Sequence, residues 1–327
     1  MAKVAQRIVP DDLQPDALRV ELTELGDAFR DYQRRPEPDL AVLAELHDRK
    51  ARAFALWADV TGDASLREEA DRAAAAARTT REMDAHRQGV PAGADGPLVE
   101  RLLTRGQGVH LRTVLEHVRA DSPLPEAQGR LAVLMITLRA ARAGTGNVTG
   151  QDLSGWLQGD AERVLQALAD AGWLVLPEDV TPDDALTARP EEPTQVMVPT
   201  LVPTRPRPFF FGKVTRARLS GWAQQVVGDR KLRKRKAGPA TRLLAVCTAA
   251  HSRPDGYLGG TAEDGSGAGE GLALDTVASF CGLRPEDVAE HAALLVAAGW
   301  LEEDADTAGG LLRGQLAERV LPLSGLL

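Results

Sequence analysis

LDTVASFCGLRPEDVAEHAALLVAAGWLEE, residues 274–303, decides the fold. Leu274, Val277, Ala278 and Cys281 recur at helical spacing, and Gly282 then breaks the run. A second helix follows, with Pro285 at an early position where its missing N–H costs nothing. Leu283, Val288, Leu294 and Leu295 continue the apolar stripe, and Trp300-Leu301 opens a strand after Gly299.

The same order occurs earlier in the chain. GRLAVLMITLRAARAG, residues 129–144, predicts a helix stopped by Gly144 and Gly146. In residues 152–177, DLSGWLQGDAERVLQALADAGWLVLP, a short helix introduced by Thr149 precedes a longer one capped by Asp160. The longer helix carries Val164, Leu165 and Leu168 on its apolar face, Gly172 closes it, and Trp173 starts a strand. An Ala-Gly-Trp-Leu tetrad marks both copies, at residues 171–174 and 298–301. TQVMVPTLVP (194–203) reads as the strand that returns, with the acidic stretch before it as the tip of a β-hairpin. The later copy has its first helix at ATRLLAVCTAAHS, a Gly-rich loop over 255–271, and a hairpin made by LEED and GLLRGQLAERVLPL. Helical lead-ins precede both copies, with Thr104-Arg105 and Thr215-Arg216 in nearly the same register. Each copy is far longer than the ~20–50 residues of a solenoid unit, so the pattern means duplicated domains.

Both copies resemble the winged helix-turn-helix family, the later one more completely. The resemblance covers about two-thirds of the chain. It implies a mainly α fold with small β-hairpin wings: winged-helix domains over 98–203 and 207–327, behind a helical N-terminal domain over 1–90. It also implies binding to double-stranded DNA, with the helix after the glycine turn in the major groove.

The N-terminal third reads as three helices. Leu18, Leu22, Leu25 and Phe29 line one face of the first, which Pro36 and Pro38 end. Leu40, Leu43, Leu46, Ala53, Phe54 and Trp57 line the second, closed by Gly62. The third, ASLREEADRAAAAARTTREMDAHR, is rich in Ala and charge, and residues 89–97 read as a linker.

Composition bounds the function. With 327 residues, 43% apolar and 26% charged, the chain is an ordinary globular protein, and the 4% aromatic share leaves Leu, Val and Ala to build its cores. High Ala, Arg, Gly and Pro are those of a high-G+C bacterial gene. No apolar run approaches the ~20 residues of a membrane span, and the first residues lack a signal-peptide core, so a cytoplasmic, nucleoid-associated location is expected. Cys247 and Cys281 have no metal-ligand spacing and read as small buried residues. The six histidines are scattered, and GSGAGEG (265–271) has no strand before it, so neither catalysis, a cofactor nor a metal is expected.

The net charge is −8, yet twelve cations fall between residues 205 and 242: Arg205, Arg207, Lys213, Arg216, Arg218, Arg230, Lys231, Arg233, Lys234, Arg235, Lys236 and Arg242, opposed by Asp229 alone. Such an island in an acidic chain points to phosphate contact. The helices after the turns depart from the DNA-binding pattern: one opens Arg284-Pro285-Glu286-Asp287 and the other holds Asp160, Glu162 and Asp170 against Arg163. Arg284 and His291 are the side chains placed to reach bases. Phe209, Phe210 and Phe211 read as an apolar plug at the junction, with base stacking as the alternative. Trp173 and Trp300 read as anchors at the base of the wings.

These readings converge on a sequence-specific DNA-binding transcriptional regulator. It would act as a homodimer joined through the N-terminal helices or the earlier copy, which could also take a protein partner. A plasmid or phage replication or partition protein is the first competitor. A tandem winged-helix interaction subunit of a chromosome-condensing complex is the second.

Overall fold

The structure is a computed structural model. It describes residues 3–4, 7–10, 13–35, 39–87, 90–91, 98–203, 207–209, 211–260 and 269–327. Arg205, Phe210, Pro36, Pro38, residues 261–268 of the Gly-rich 255–271 loop and most of the 89–97 linker lie outside the described residues. The chain is mainly helical with small antiparallel two-stranded sheets, and it divides into two compact units, residues 1–89 and 90–327.

In the first unit, β1 (Lys3–Val4) pairs with β2 (Arg7–Ile8), and three helices follow: α1 (Asp16–Gln33), α2 (Leu40–Thr61) and α3 (Ala64–Arg87). Most of each expected face is buried: Leu18, Leu22 and Leu25 from α1, and Leu40, Leu46, Ala53, Phe54 and Trp57 from α2, while Phe29 and Leu43 are half-buried. Asp39 caps α2 by accepting from the Val42 N–H, and Gly62 closes it in the left-handed region at φ 71°. The small residues Ala70, Ala73 and Ala77 of α3 are buried, with Leu66 and Thr80, which lets it lie along α2.

The second unit begins with β3 (Val90–Pro91) paired to β4 (Leu98–Val99), then α4 (Arg105–Asp121) and α5 (Ala127–Ala140). From α5 the order is β5 (Thr145–Val148), α6 (Gly150–Leu157), α7 (Ala161–Asp170), α8 (Pro182–Thr187) and β6 (Thr194–Met197). β5 pairs with β6 in the register Thr145↔Met197, and Val175 bridges Met197 from the other side. Thr149 caps α6 with Asp152 in a reciprocal capping box, as its sequence expects. Asp160 makes no capping bond at α7; it faces Arg163 at 3.6 Å instead. The acidic stretch expected as a bare hairpin tip contains α8. Thr181 and Asp184 form its capping box, and Pro182 starts it. Ala185 is fully buried, and the Gly150 N–H donates to Ala188 O, so this segment folds back on α6 and α7.

The order then recurs. α9 (Lys213–Val227) and α10 (Arg230–Lys234) lead into α11 (Pro239–Ala250), β7 (Leu272–Ala273), α12 (Leu274–Cys281), α13 (Val288–Ala297) and β8 (Leu311–Leu312). β7 pairs with β8, while Leu301↔Leu316 and Asp306↔Arg313 complete the hairpin. The lead-ins are not in one register: Thr104 is the N-cap of α4, whereas Thr215 lies within the first turn of α9.

One apolar core runs through both copies, with the largely buried α5 and α11 at its centre. α4 packs on α5 and also on α11 and α12; α9 packs on α11 and also on α5. Trp156 of α6 donates through Nε1 to Gln224 of α9 at 3.0 Å. Each lead-in helix thus touches the opposite copy. Phe209 and Phe211 are buried and stacked at 5.2 Å, against His117 and His110 of α4, as a plug requires. The chain end is held inside: Trp222 donates to Leu323 O at 2.8 Å, and the Gly325 N–H donates to Ala249 O.

Candidate nucleic-acid interface

The sequence RKLRKRK folds as α10 and the turn after it because one apolar residue and one acid hold it down. Leu232 is fully buried. Asp229 caps the helix, its Oδ1 accepting from the N–H groups of Lys231 and Leu232. Asp229 Oδ2 accepts from Arg319 at 2.9 Å. Arg319 also donates to Ala298 O and Gly299 O, so it ties α10 to the end of α13. The single acid of the basic stretch is therefore committed to Arg319.

That leaves Arg230, Lys231, Arg233, Lys234, Arg235 and Lys236 exposed, and among the described residues no carboxylate comes within 4.0 Å of them. A helix turns ~100° per residue, which sets their directions relative to Leu232. Arg230 and Lys234 point opposite to Leu232, away from the core, and Arg233 projects to one flank. Lys231 and Arg235 lean to the other flank, where with Lys234 they border a cavity against Val296, Ala297, Ala298 and Gly299. Cations over the last turn of α13 suit its carbonyl-rich end.

The remaining cations of the stretch are not in this patch. Lys213, Arg216 and Arg218 lie in the first two turns of α9, whose 15 residues put them ~20 Å from α10. Lys213 and Arg218 are exposed, while Arg216 is half-buried beside Arg139 and Arg142. Arg207 is half-buried and donates to Arg142 O at 3.1 Å. Arg242 is buried and donates to Ala237 O at 3.0 Å and Gly155 O at 2.6 Å. Burial lowers its pKa, and the neighbouring Arg233 adds to this. Arg242 stitches the two copies together and presents nothing to solvent.

Arg284 and His291 do not extend the patch. The Arg284 guanidinium bonds both Asp287 carboxylate oxygens at 2.8 Å and faces Glu286 at 3.3 Å, so its charge is offset within its own turn. That pairing with Asp287 raises the Arg284 pKa. His291 is half-buried, with Nδ1 2.8 Å from the Thr241 hydroxyl of α11. The outer face of α13 is Ala289, Glu290, Ala293, Leu294 and Ala297, with Leu294 43% exposed. The outer face of α7 is more polar, with Glu162, Arg163, Gln166 and Asp170 exposed.

Both cysteines are free and fully buried; burial pushes the Cys247 thiol up to about 12 and the Cys281 thiol well above its usual range, away from reactive thiolate. Among the described residues, no group of three or more His, Cys, Asp and Glu is placed to hold a metal, and no helix is long and apolar enough to cross a membrane. Comparison with family models, with curated proteins and with solved structures finds no match.

Proposed function

We propose that residues 98–327 are two winged-helix domains fused in tandem, and that the chain binds double-stranded DNA chiefly through backbone phosphates. The single observation that carries this reading is the exposed, unpaired cation array on α10, in a chain whose net charge is −8. Phosphate neutralisation is the sequence-independent part of DNA affinity. The element order helix–strand–helix–helix–strand, present twice with α8 inserted before the last strand of the earlier copy, supports the family reading.

Base reading rests on the earlier copy. The outer face of α13 offers the bases mainly methyl groups and one carboxylate, whereas α7 offers Arg163 and Gln166, side-chain types that read guanine and adenine once a base replaces their partners, Asp160 at 3.6 Å and Asp170 at 2.7 Å. A regulatory role at preferred sites therefore depends on α7. The duplication supplies two copies of the motif in one chain, so two-site contact needs no second protomer.

Anisotropy of a labelled 30-base-pair random duplex, titrated with the full chain at rising KCl, tests the reading. Binding at 50 mM that weakens linearly on log–log axes is expected. No binding at 50 mM KCl overturns it.

A second reading, a protein-interaction subunit, draws on the outer face of α13. Ala289, Ala293, Leu294 and Ala297 make a smooth apolar strip beside cations. Leu294→Glu separates the two: it abolishes a protein contact and changes random-duplex affinity only slightly.

A further inference from the structure

At the far end of α9 from α10, a cavity of about 490 Å³ is bordered by three arginines and three neutral polar residues: Arg139 and Arg142 from the end of α5, Arg216 from α9, and Thr145, Asn147 and Ser220. Arg139 is already satisfied. It bonds Asp152 through both terminal nitrogens at 2.7 and 2.8 Å, donates to Asn147 O at 2.7 Å, and lies 4.7 Å from the Trp156 ring. These contacts hold one guanidinium rigidly at the cavity wall. Arg142 and Arg216 have no carboxylate within 4.0 Å among the described residues. Even after Asp152 is counted, the cavity keeps the charge of two guanidinium groups.

Helix position explains only part of this. Cations in the last turn of α5 answer its carbonyl end. Arg216 sits near the start of α9, where the helix dipole disfavours a cation, so its presence there needs another cause. The backbone supplies a further cue. Gly144 O accepts from Val198 N, so the even-numbered groups along β5 turn toward β6. Asn147 O turns the opposite way, to Arg139. In an antiparallel strand the N–H and C=O of one residue point to the same side. The N–H groups of Thr145 and Asn147 therefore point with Asn147 O, toward the arginines.

We propose that this cavity binds a small phosphorylated molecule, with Arg142 and Arg216 gripping the phosphate oxygens against the β5 amides and the Thr145 and Ser220 hydroxyls. Two unpaired guanidinium groups give the forked geometry that oxyanions take. The volume is that of a small-molecule site. The site is separate from α10 and does not rest on the DNA-binding reading.

Isothermal titration of the full chain with sodium pyrophosphate, at constant ionic strength, tests the proposal. Saturable one-to-one binding is expected, weakened at least tenfold in both Arg142→Gln and Arg216→Gln. Should either variant misfold by circular dichroism, Arg216→Lys serves instead. It keeps the charge but loses the fork, and its Kd should rise severalfold. Random-duplex affinity should be unchanged in these variants, and pyrophosphate binding should survive removal of the α10 cations. Absence of saturable binding, or equal Kd in wild type and variants, overturns the proposal. Loss of duplex binding in variants of a protein that ignores pyrophosphate also overturns it, and assigns the cavity to a DNA phosphate.

Discussion

Replacing Arg230, Arg233 and Lys234 together by Ala removes the three cations of α10 that point away from Leu232 or to the flank opposite α13. Each phosphate contact contributes about 0.9 to the slope of log K against log salt. If all three reach phosphates, the triple variant flattens that slope by about 2.7. At 0.15 M salt the same three contacts amount to about 2.2 decades of affinity, or about 3 kcal/mol. Anisotropy with a random 30-base-pair duplex between 50 and 300 mM KCl reads both quantities from one titration series. Because all three side chains are exposed and unpaired, stability should move by no more than ~0.5 kcal/mol, which a thermal melt checks. Lys213→Ala with Arg218→Ala, at the other end of α9, is the matched control and should change the slope by less. An unchanged slope in the triple variant, or an affinity loss that is the same at every salt concentration, refutes the reasoning. The loss would then come from shape or folding rather than from released counterions.

Three further outcomes follow from the core. Arg242→Ala strips a buried guanidinium from two carbonyls and should cost about 2–3 kcal/mol in urea unfolding, while the folded fraction keeps its duplex affinity. Gly282→Ala should cost about 2 kcal/mol or more: φ is 65°, and the added Cβ would stand 2.7 Å from Pro125 O and 2.8 Å from Ala127 N. Gly172→Ala, with φ 66° and no atom within 4 Å, should cost only about 1 kcal/mol, so equal losses in the two variants would refute the steric account. Burial lowers the His251 pKa, against a bond to Cys247 O and with Arg112 and Glu116 nearby. The unfolded chain then takes up that proton first. The contribution is complete above pH 6.5 and falls as the pH drops from 6.5 toward the folded value. The urea midpoint should fall from pH 7 to pH 5, and His251→Asn should make it fall less. His47 and His110, also lowered by burial, keep part of the dependence.

Local chemistry was legible in the sequence; facing was not. Gly62, Gly172 and Gly282 announce left-handed helix ends, Thr149 its capping box, and the Leu–Phe–Trp faces of α1 and α2 their burial. These signals lie within a few residues of the structure they dictate. α8 had such a signal too, in Thr181-Pro182-Asp183-Asp184, but the acids around it read as a solvated tip. β5 and β7 are only 4 and 2 residues long, too short for alternation to stand out. Arg242 went unrecognised because a run of charge does not tell which member turns inward. Its burial is set by Ala237 O and Gly155 O, the latter 87 positions away. Arg284 and Asp287, three apart on one turn, could have been read as a pair from spacing alone.

The same limit divides the basic stretch. Six of its twelve cations gather on α10 and the turn after it, while Arg216 joins Arg139 and Arg142 beyond the other end of a buried apolar face of α9 formed by Leu219, Trp222, Ala223, Val226 and Val227. The two ends differ in what surrounds their cations, and the surroundings select the ligand. On α10 six exposed cations surround one buried leucine, and only three of them border the cavity against α13. That arrangement suits a long polyanion whose phosphates need not be met in one geometry. At the α5–α9 junction the arginines line a concavity, and one of them is locked by Asp152 and Trp156. A cavity with two unpaired guanidinium groups beside a fixed third favours a small anion over an extended strand, because a strand would have to bend in to reach it. The difference is measurable as charge stoichiometry. Binding at α10 should carry the salt slope of several phosphates, and binding at the junction the weaker salt dependence of one compact anion held largely by hydrogen bonds.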